Sequence, residues 1–247
     1  MTPADHLILF VTGLTAASFS TLIGGGTLLT VPVLILLQVP AHTAVATNRI
    51  GVFGLAITGW VAFQQQGLIR HSLSWALGLA CGVGAIFGTM ILLSISEAAL
   101  KGFIAAVSVL LLIFTALQKE IGVAAPPKRG AVRWAVGLPL AVVLGAYGSV
   151  YGAGLGTFLT YLLVILFGQT FLQSAGTRKV AIGMQAIVSS ILYYRANLIH
   201  WPSAANLFVS MGIGSYLGAR YGTRLGNVWI RRAFMTLAAV LSLKILL

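Results

Sequence analysis

Three cationic side chains sit where an apolar chain has little room for them. Arg49, Arg178 and Lys179 each fall within two turns of the start of a long apolar stretch. Ionisable groups inside segments of that kind mark binding sites by default, because leaving them unpaired in hydrocarbon is costly. Thr43, Thr47 and Asn48 precede Arg49, and Gln173, Ser174 and Thr177 precede Arg178. Thr43 and Thr47, four residues apart, share a helix face, and Gln173 and Thr177 repeat that spacing. A cation flanked by hydroxyls and amides is the chemistry of an anion site: the charge draws the anion out of water and the neutral groups complete its shell. In the competing reading, Arg49, Arg178 and Lys179 lie at helix ends, snorkel to the lipid headgroups and only anchor their segments.

A second feature has to be placed beside these cations. Gly24-Gly25-Gly26-Thr27 interrupts an apolar run, and Gly154, Gly156 and Thr157 recur 130 residues later. At membrane depth, glycines break a helix and admit another backbone or a ligand. A threonine directly after them is read as the N-cap of the next helix, whose free amides and positive dipole end favour anions. The contacts to a small anion are therefore expected at Gly24, Gly25, Gly26, Thr27, Thr47, Asn48 and Arg49, and at Gly154, Gly156, Thr157, Thr177 and Arg178.

Composition says what carries these residues. Of the 247 residues 59% are hydrophobic and 7% charged, with mean hydropathy +1.01. Soluble domains carry about 25% charged residues, so the class is an all-α polytopic membrane protein. At about 20 residues per span, the length holds roughly eight to ten membrane segments. The run after Met1 to His6 is too long for a signal peptide and is read as a retained segment. The single Cys81 forms no internal disulfide. The excess of Lys and Arg over Asp and Glu, 15 against 3, is explained by topology through the positive-inside rule, not by nucleic acid.

Apolar segments run over about 7–23, 27–38, 44–63, 72–94 and 98–117, then 134–150, 157–167, 170–194, 202–221 and 228–246. The same 130-residue offset pairs Thr47 with Thr177, Leu68-Ile69 with Leu198-Ile199, and Gly82, Gly84 and Gly88 with Gly212, Gly214 and Gly218. An ungapped match of that length signals duplication: a first repeat at 1–117, a basic linker at 118–133 and a second repeat at 134–247. The basic turns at Arg70 and His71 and at the linker share one side. In the second half the basic turn carries Arg220, Arg224, Arg231 and Arg232, which aligns with the opposite side. The repeats are therefore expected to be inverted in topology. Segments 27–38 and 157–167 are too short to cross, so two broken or re-entrant helices are expected at matching places, the usual pointer to a central site.

The glycines of 82–88 and their copy suit close helix packing, since no strand precedes them and their spacing differs from a dinucleotide loop. His42, beside Pro40, is a proton carrier or, more simply, a cap or interface residue. No paired carboxylates, metal-binding histidine pair or nucleophile elbow is found, so neither an enzyme nor a cofactor or metal is expected.

Gly24-Gly25-Gly26-Thr27 with Pro32, then Pro40 and the small-polar helix start at Ala44, Ala46 and Thr47, resemble the TauE/SafE family of sulfite exporters and sulfonate permeases. The resemblance covers essentially the whole chain. It implies a multi-pass inner-membrane carrier of small organic or sulfur-containing anions such as sulfite, sulfoacetate, other sulfonates or carboxylates, with export as the expected direction. The partners are the anion, the lipid bilayer and optionally a second copy of the chain. Leu155 replaces Gly25 and Leu162 stands opposite Pro32, so unequal half-sites are expected. A passive anion channel and a non-transporting scaffold remain the alternatives.

Overall fold

The structure, a computed structural model, describes residues 1–22, 24–117 and 132–221. Those residues form nine α-helices and no strand. They are α1 (Pro3–Ser20), α2 (Thr27–Leu36), α3 (Ala41–Gln64), α4 (His71–Ser94), α5 (Glu97–Leu117), α6 (Val132–Val150), α7 (Leu155–Phe167), α8 (Phe171–Arg195) and α9 (Trp201–Tyr221). Each matches an expected apolar segment to within a few residues. Expectations for most of the linker, for segment 228–246 and for Arg224, Arg231 and Arg232 lie outside the described residues. Val132 and Arg133, read as linker, belong to α6.

Local chemistry sets the ends of these helices. At α1 the Thr2 hydroxyl accepts the Asp5 N–H while the Asp5 carboxylate accepts the Thr2 N–H, a reciprocal cap, with Pro3 in the first turn. Thr170 and Gln173 build the same box at α8. Gln173 therefore serves as a cap residue. The chain leaves α1 through Gly24 and Gly25, whose φ angles of 95° and 94° suit glycine.

Among the described residues, helices α3, α4 and α6 are long and apolar enough to cross a bilayer, and α7 with α8, bent by 117° at the break between them, form a broken span or a re-entrant loop. Helix α4 presents Leu79, Val83, Phe87, Met90 and Ile91 outward. An apolar outer surface over a packed interior is what lipid, as opposed to water, selects.

The packing crosses between the two halves. Helix α4 rests on α6 and α8, and α9 rests on α1 and α3. Small residues bring the backbones together: a methyl group on Gly84 or Gly88 would lie 1.9 or 2.0 Å from the carbonyl oxygen of Val142 or Ala146. On Gly214 or Gly218 it would lie 2.2 Å from that of Leu14 or Ser18. These glycines are packing surfaces, and they clamp the helices that end at the two breaks.

Candidate functional site

The two glycine breaks touch each other. A methyl group on Gly24 would sit 2.5 Å from the Thr157 nitrogen and 2.6 Å from its hydroxyl, and one on Gly156 would sit 3.1 Å from the Gly24 Cα. The threonines do not cap the helices that follow. Gly26 is the N-cap of α2 and Gly154, at φ 71°, that of α7, so Thr27 opens its helix and Thr157 lies inside the first turn of its own. Glycine serves at an N-cap almost as well as threonine, and at position 154 it alone takes the left-handed backbone easily.

Between the breaks is a cavity of about 40 Å³, room for about three waters at 10–15 Å³ each. Gly24, Gly25, Gly26 and Thr27 line one wall, Gly152, Leu155 and Gly156 another, and Arg49 reaches in from α3. Ser20, Val52, Leu55, Ile182 and Met211 complete it. Gly152 has Leu22 as its counterpart at the 130-residue offset, so the repeat comparison gave no signal for it. Its own cluster with Gly154 and Gly156 was the signal available.

Neither arginine snorkels: each is 1% exposed. Arg49 donates from Nη1 to the Gly148 carbonyl at 2.6 Å and from Nη2 to that of Tyr151 at 2.5 Å, closing the end of α6. Arg178 donates from Nη2 to the carbonyls of Ser20, Thr21 and Leu22 at 3.3, 3.0 and 2.8 Å, closing the end of α1. Its Nη1 donates to the Gly156 carbonyl at 2.7 Å and to the Thr160 hydroxyl. A methyl group on Gly156 would meet the Arg178 Cζ at 3.4 Å, so the cation lies against the cavity wall.

Thr47 and Thr177 play equivalent parts. The Thr47 hydroxyl accepts the His200 N–H at 3.0 Å and the Thr177 hydroxyl accepts the Arg70 N–H at 3.3 Å, residues again 130 apart. They fix the turns after α8 and α3. Thr177 also accepts from Gln169 Nε2 at 3.0 Å.

Several buried donors and acceptors are left over. Asn48 is fully buried, and neither its Nδ2 nor its Oδ1 has a protein partner. The Nε atoms of Arg49 and Arg178 are buried and unpartnered as well. Native interiors leave few such groups without a reason. Lys179 is equally buried and donates to the hydroxyls of Thr21 at 3.2 Å and Ser215 at 3.4 Å. The described acids, Asp5 and Glu97, stand at helix starts and are not buried. Three buried cations thus have no buried carboxylate among the described residues.

His42 sits elsewhere, at the start of α3. Its Nδ1 is 2.6 Å from a Glu97 oxygen and its Nε2 3.1 Å from the carbonyls of Leu92 and Ile95. The Glu97 carboxylate accepts the N–H groups of Ala41 and His42. Burial by itself would raise the Glu97 pKa, but these hydrogen bonds outweigh it and hold the carboxyl below its usual range.

A family model described as sulfite exporter TauE/SafE matches residues 9–245. The chain belongs to this family. It is 25% identical over 248 residues to a probable membrane transporter protein, YfcA, of Escherichia coli K12, covering 97% of this chain and 88% of that one. A probable membrane transporter protein of Haemophilus influenzae is 23% identical over 237 residues, 96% and 92% of the two chains. YdhB of Bacillus subtilis, named likewise, is 22% identical over 247 residues, 97% and 98%. No solved structure matches the chain. As a TauE/SafE member the protein is a membrane transporter, in agreement with its apolar helices.

Proposed function

We propose that this TauE/SafE protein is an inner-membrane, alternating-access carrier of small organic or sulfur-containing anions: sulfite, sulfoacetate, other sulfonates or carboxylates. The observation that carries the reading is a buried cation facing the glycine walls: Arg49 lines the cavity and Arg178 lies against its wall, while no carboxylate is buried among the described residues. A buried cation without a counter-charge is costly, and an anion between the glycine breaks would supply that charge. The unpartnered Nε of Arg49, which lines the cavity, offers it a hydrogen bond, and the unpartnered Asn48 amide lies next to Arg49 in the chain, outside the lining.

Contact of Gly24 with Gly156 and Thr157 supports a carrier over a channel, since the two breaks close on each other. The repeats would rock about this point, each half carrying one break. An interior-negative potential drives an uncoupled monoanion outward by about 2.3 kcal/mol per 100 mV, which favours export. With a proton carried alongside a monoanion, the anion and proton gradients set the direction in place of voltage.

The test is thermal stability of the purified protein in detergent against sulfite, sulfate, methanesulfonate, sulfoacetate, acetate and chloride. A ligand at 100 times its dissociation constant adds about 2.7 kcal/mol of stability. Selective stabilisation by a sulfonate or carboxylate, reduced in Arg49→Met, is expected, with saturable flux in proteoliposomes. Indifference to every anion overturns the reading.

A further inference from the structure

Lys179 differs from the two arginines in the chemistry of its partners. Arg49 and Arg178 point mainly at backbone carbonyls, which only accept, so those sites demand a permanent donor. Lys179 Nζ meets two hydroxyls, of Thr21 and Ser215. A hydroxyl accepts from an ammonium and, once its own proton turns, donates to a neutral amine. The Lys179 site therefore satisfies both protonation states, and lysine, unlike arginine, loses its proton within reach of ordinary pH when buried. The hydroxyls form a chain: Thr21 donates to Ser215 at 2.8 Å, and Ser215 donates to the Leu55 carbonyl at 2.8 Å. Leu55 lines the cavity, as does Ser20 next to Thr21.

The surroundings leave Nζ responsive to an anion. Around it α3 presents Gly59, whose added methyl would lie 2.8 Å from Nζ, and the Phe63 ring, 6.0 Å away. Helix α9 presents Ser215, and Thr21 follows the end of α1. The charge acting on Nζ among the described residues is that of Arg178, of like sign. No buried carboxylate compensates it there.

We propose that Lys179 is a proton-binding site that takes up one proton as the anion enters the cavity and releases it with the anion on the other side. This rests on the anion reading of the cavity. In the step, the Nζ lone pair forms an N–H bond with a proton from water on the open side. The same bond breaks to water on the opposite side after the switch, so one proton moves with each anion and no electron is transferred to or from the protein. For a monoanion the cargo is then neutral, and the anion and proton gradients replace voltage as the driving force.

The test is calorimetric titration of the whole protein with methanesulfonate and sulfoacetate at one pH in several buffers of different ionisation enthalpy. Their sulfonate groups stay ionised, so protons counted with methanesulfonate are exchanged between buffer and protein and not with the ligand. Expected is about one proton taken up per anion at a pH where Lys179 is neutral without ligand, with affinity falling about tenfold per pH unit above it. In Lys179→Arg, whose guanidinium stays protonated, the proton taken up per anion bound falls to zero. In proteoliposomes the wild type acidifies the lumen as methanesulfonate enters and Lys179→Arg does not. Binding without proton uptake from pH 6 to 10, or equal uptake in Lys179→Arg, overturns the proposal and leaves the anion site standing. Absence of binding by either sulfonate overturns both.

Discussion

Arg49 and Arg178 reach out of the halves that carry them in opposite directions. Arg49, on α3, closes the carbonyl end of α6, and Arg178, on α8, closes that of α1. The acceptors Tyr151 and Thr21 are themselves 130 residues apart. Together with the Thr47–His200 and Thr177–Arg70 bonds, this exchange gives the contacts a two-fold pattern. Each cation holds the end of the helix that leads into the other half's glycine break, and Arg49 also lines the cavity between the breaks.

Arg49→Met therefore has two effects. It leaves the Gly148 and Tyr151 carbonyls without their donor, and unsatisfied buried groups cost about 1–3 kcal/mol each. It also removes a charge from the cavity, and hydrogen bonds to charged groups contribute about 1.5–3 kcal/mol. A lower melting temperature and at least a tenfold loss of anion affinity are expected from thermal-shift titration. Unchanged affinity would confine Arg49 to the structural role.

Gly24→Ala and Gly102→Ala form a contrasting pair. At Gly24 the φ of 95° and the Thr157 backbone 2.5 Å away both oppose a methyl group, and left-handed strain with overpacking costs about 1–3 kcal/mol. Gly102, inside α5, has nothing within 4 Å of an added methyl, and alanine in a helix gains up to about 1 kcal/mol. Gly24→Ala should lower the melting temperature and abolish flux, while Gly102→Ala leaves both unchanged or raises stability.

The sequence carried much of this arrangement, and what it missed has physical causes. Among the described residues nine apolar segments coincide with nine helices, because an apolar run with few breakers has, inside a bilayer, one good way to satisfy its backbone. Both breaks were readable from glycine alone. The N-caps at Gly26 and Gly154 were not, since cap choice depends on φ at the break. Nor did residue type disclose that Arg49 and Arg178 bind carbonyls of the opposite half. Residues near a helix start snorkel or turn inward according to what packs beside them, and here that is set by contacts about 100 and 157 residues away in sequence.

Glu97 ties the start of α3 to the α4–α5 turn through Ala41, His42 and its own carboxylate. Its folded pKa is lowered, so the stabilisation is fully present above the ordinary glutamate pKa of about 4.3 and is lost as pH falls through the lower, folded value. Glu97→Gln should be less stable than wild type at pH 7, by about 1 kcal/mol for an impaired helix cap. In melts from pH 7 to 3 the gap should close below about pH 4. A gap independent of pH would mean that the charge of Glu97 contributes nothing.

Asn48 separates stability from binding most sharply. Its amide is buried with both polar atoms unpartnered, and an unmade buried hydrogen bond costs about 1–3 kcal/mol per group. Asn48→Leu, close in volume, removes that cost, so the ligand-free variant should melt at a higher temperature than wild type. If the amide serves the anion, the same change weakens binding, by about tenfold for one neutral hydrogen bond of about 1.4 kcal/mol. Higher stability with weaker binding assigns Asn48 to the anion. Higher stability with unchanged binding removes it from the site, and lower stability means that the amide has a structural partner such as a buried water.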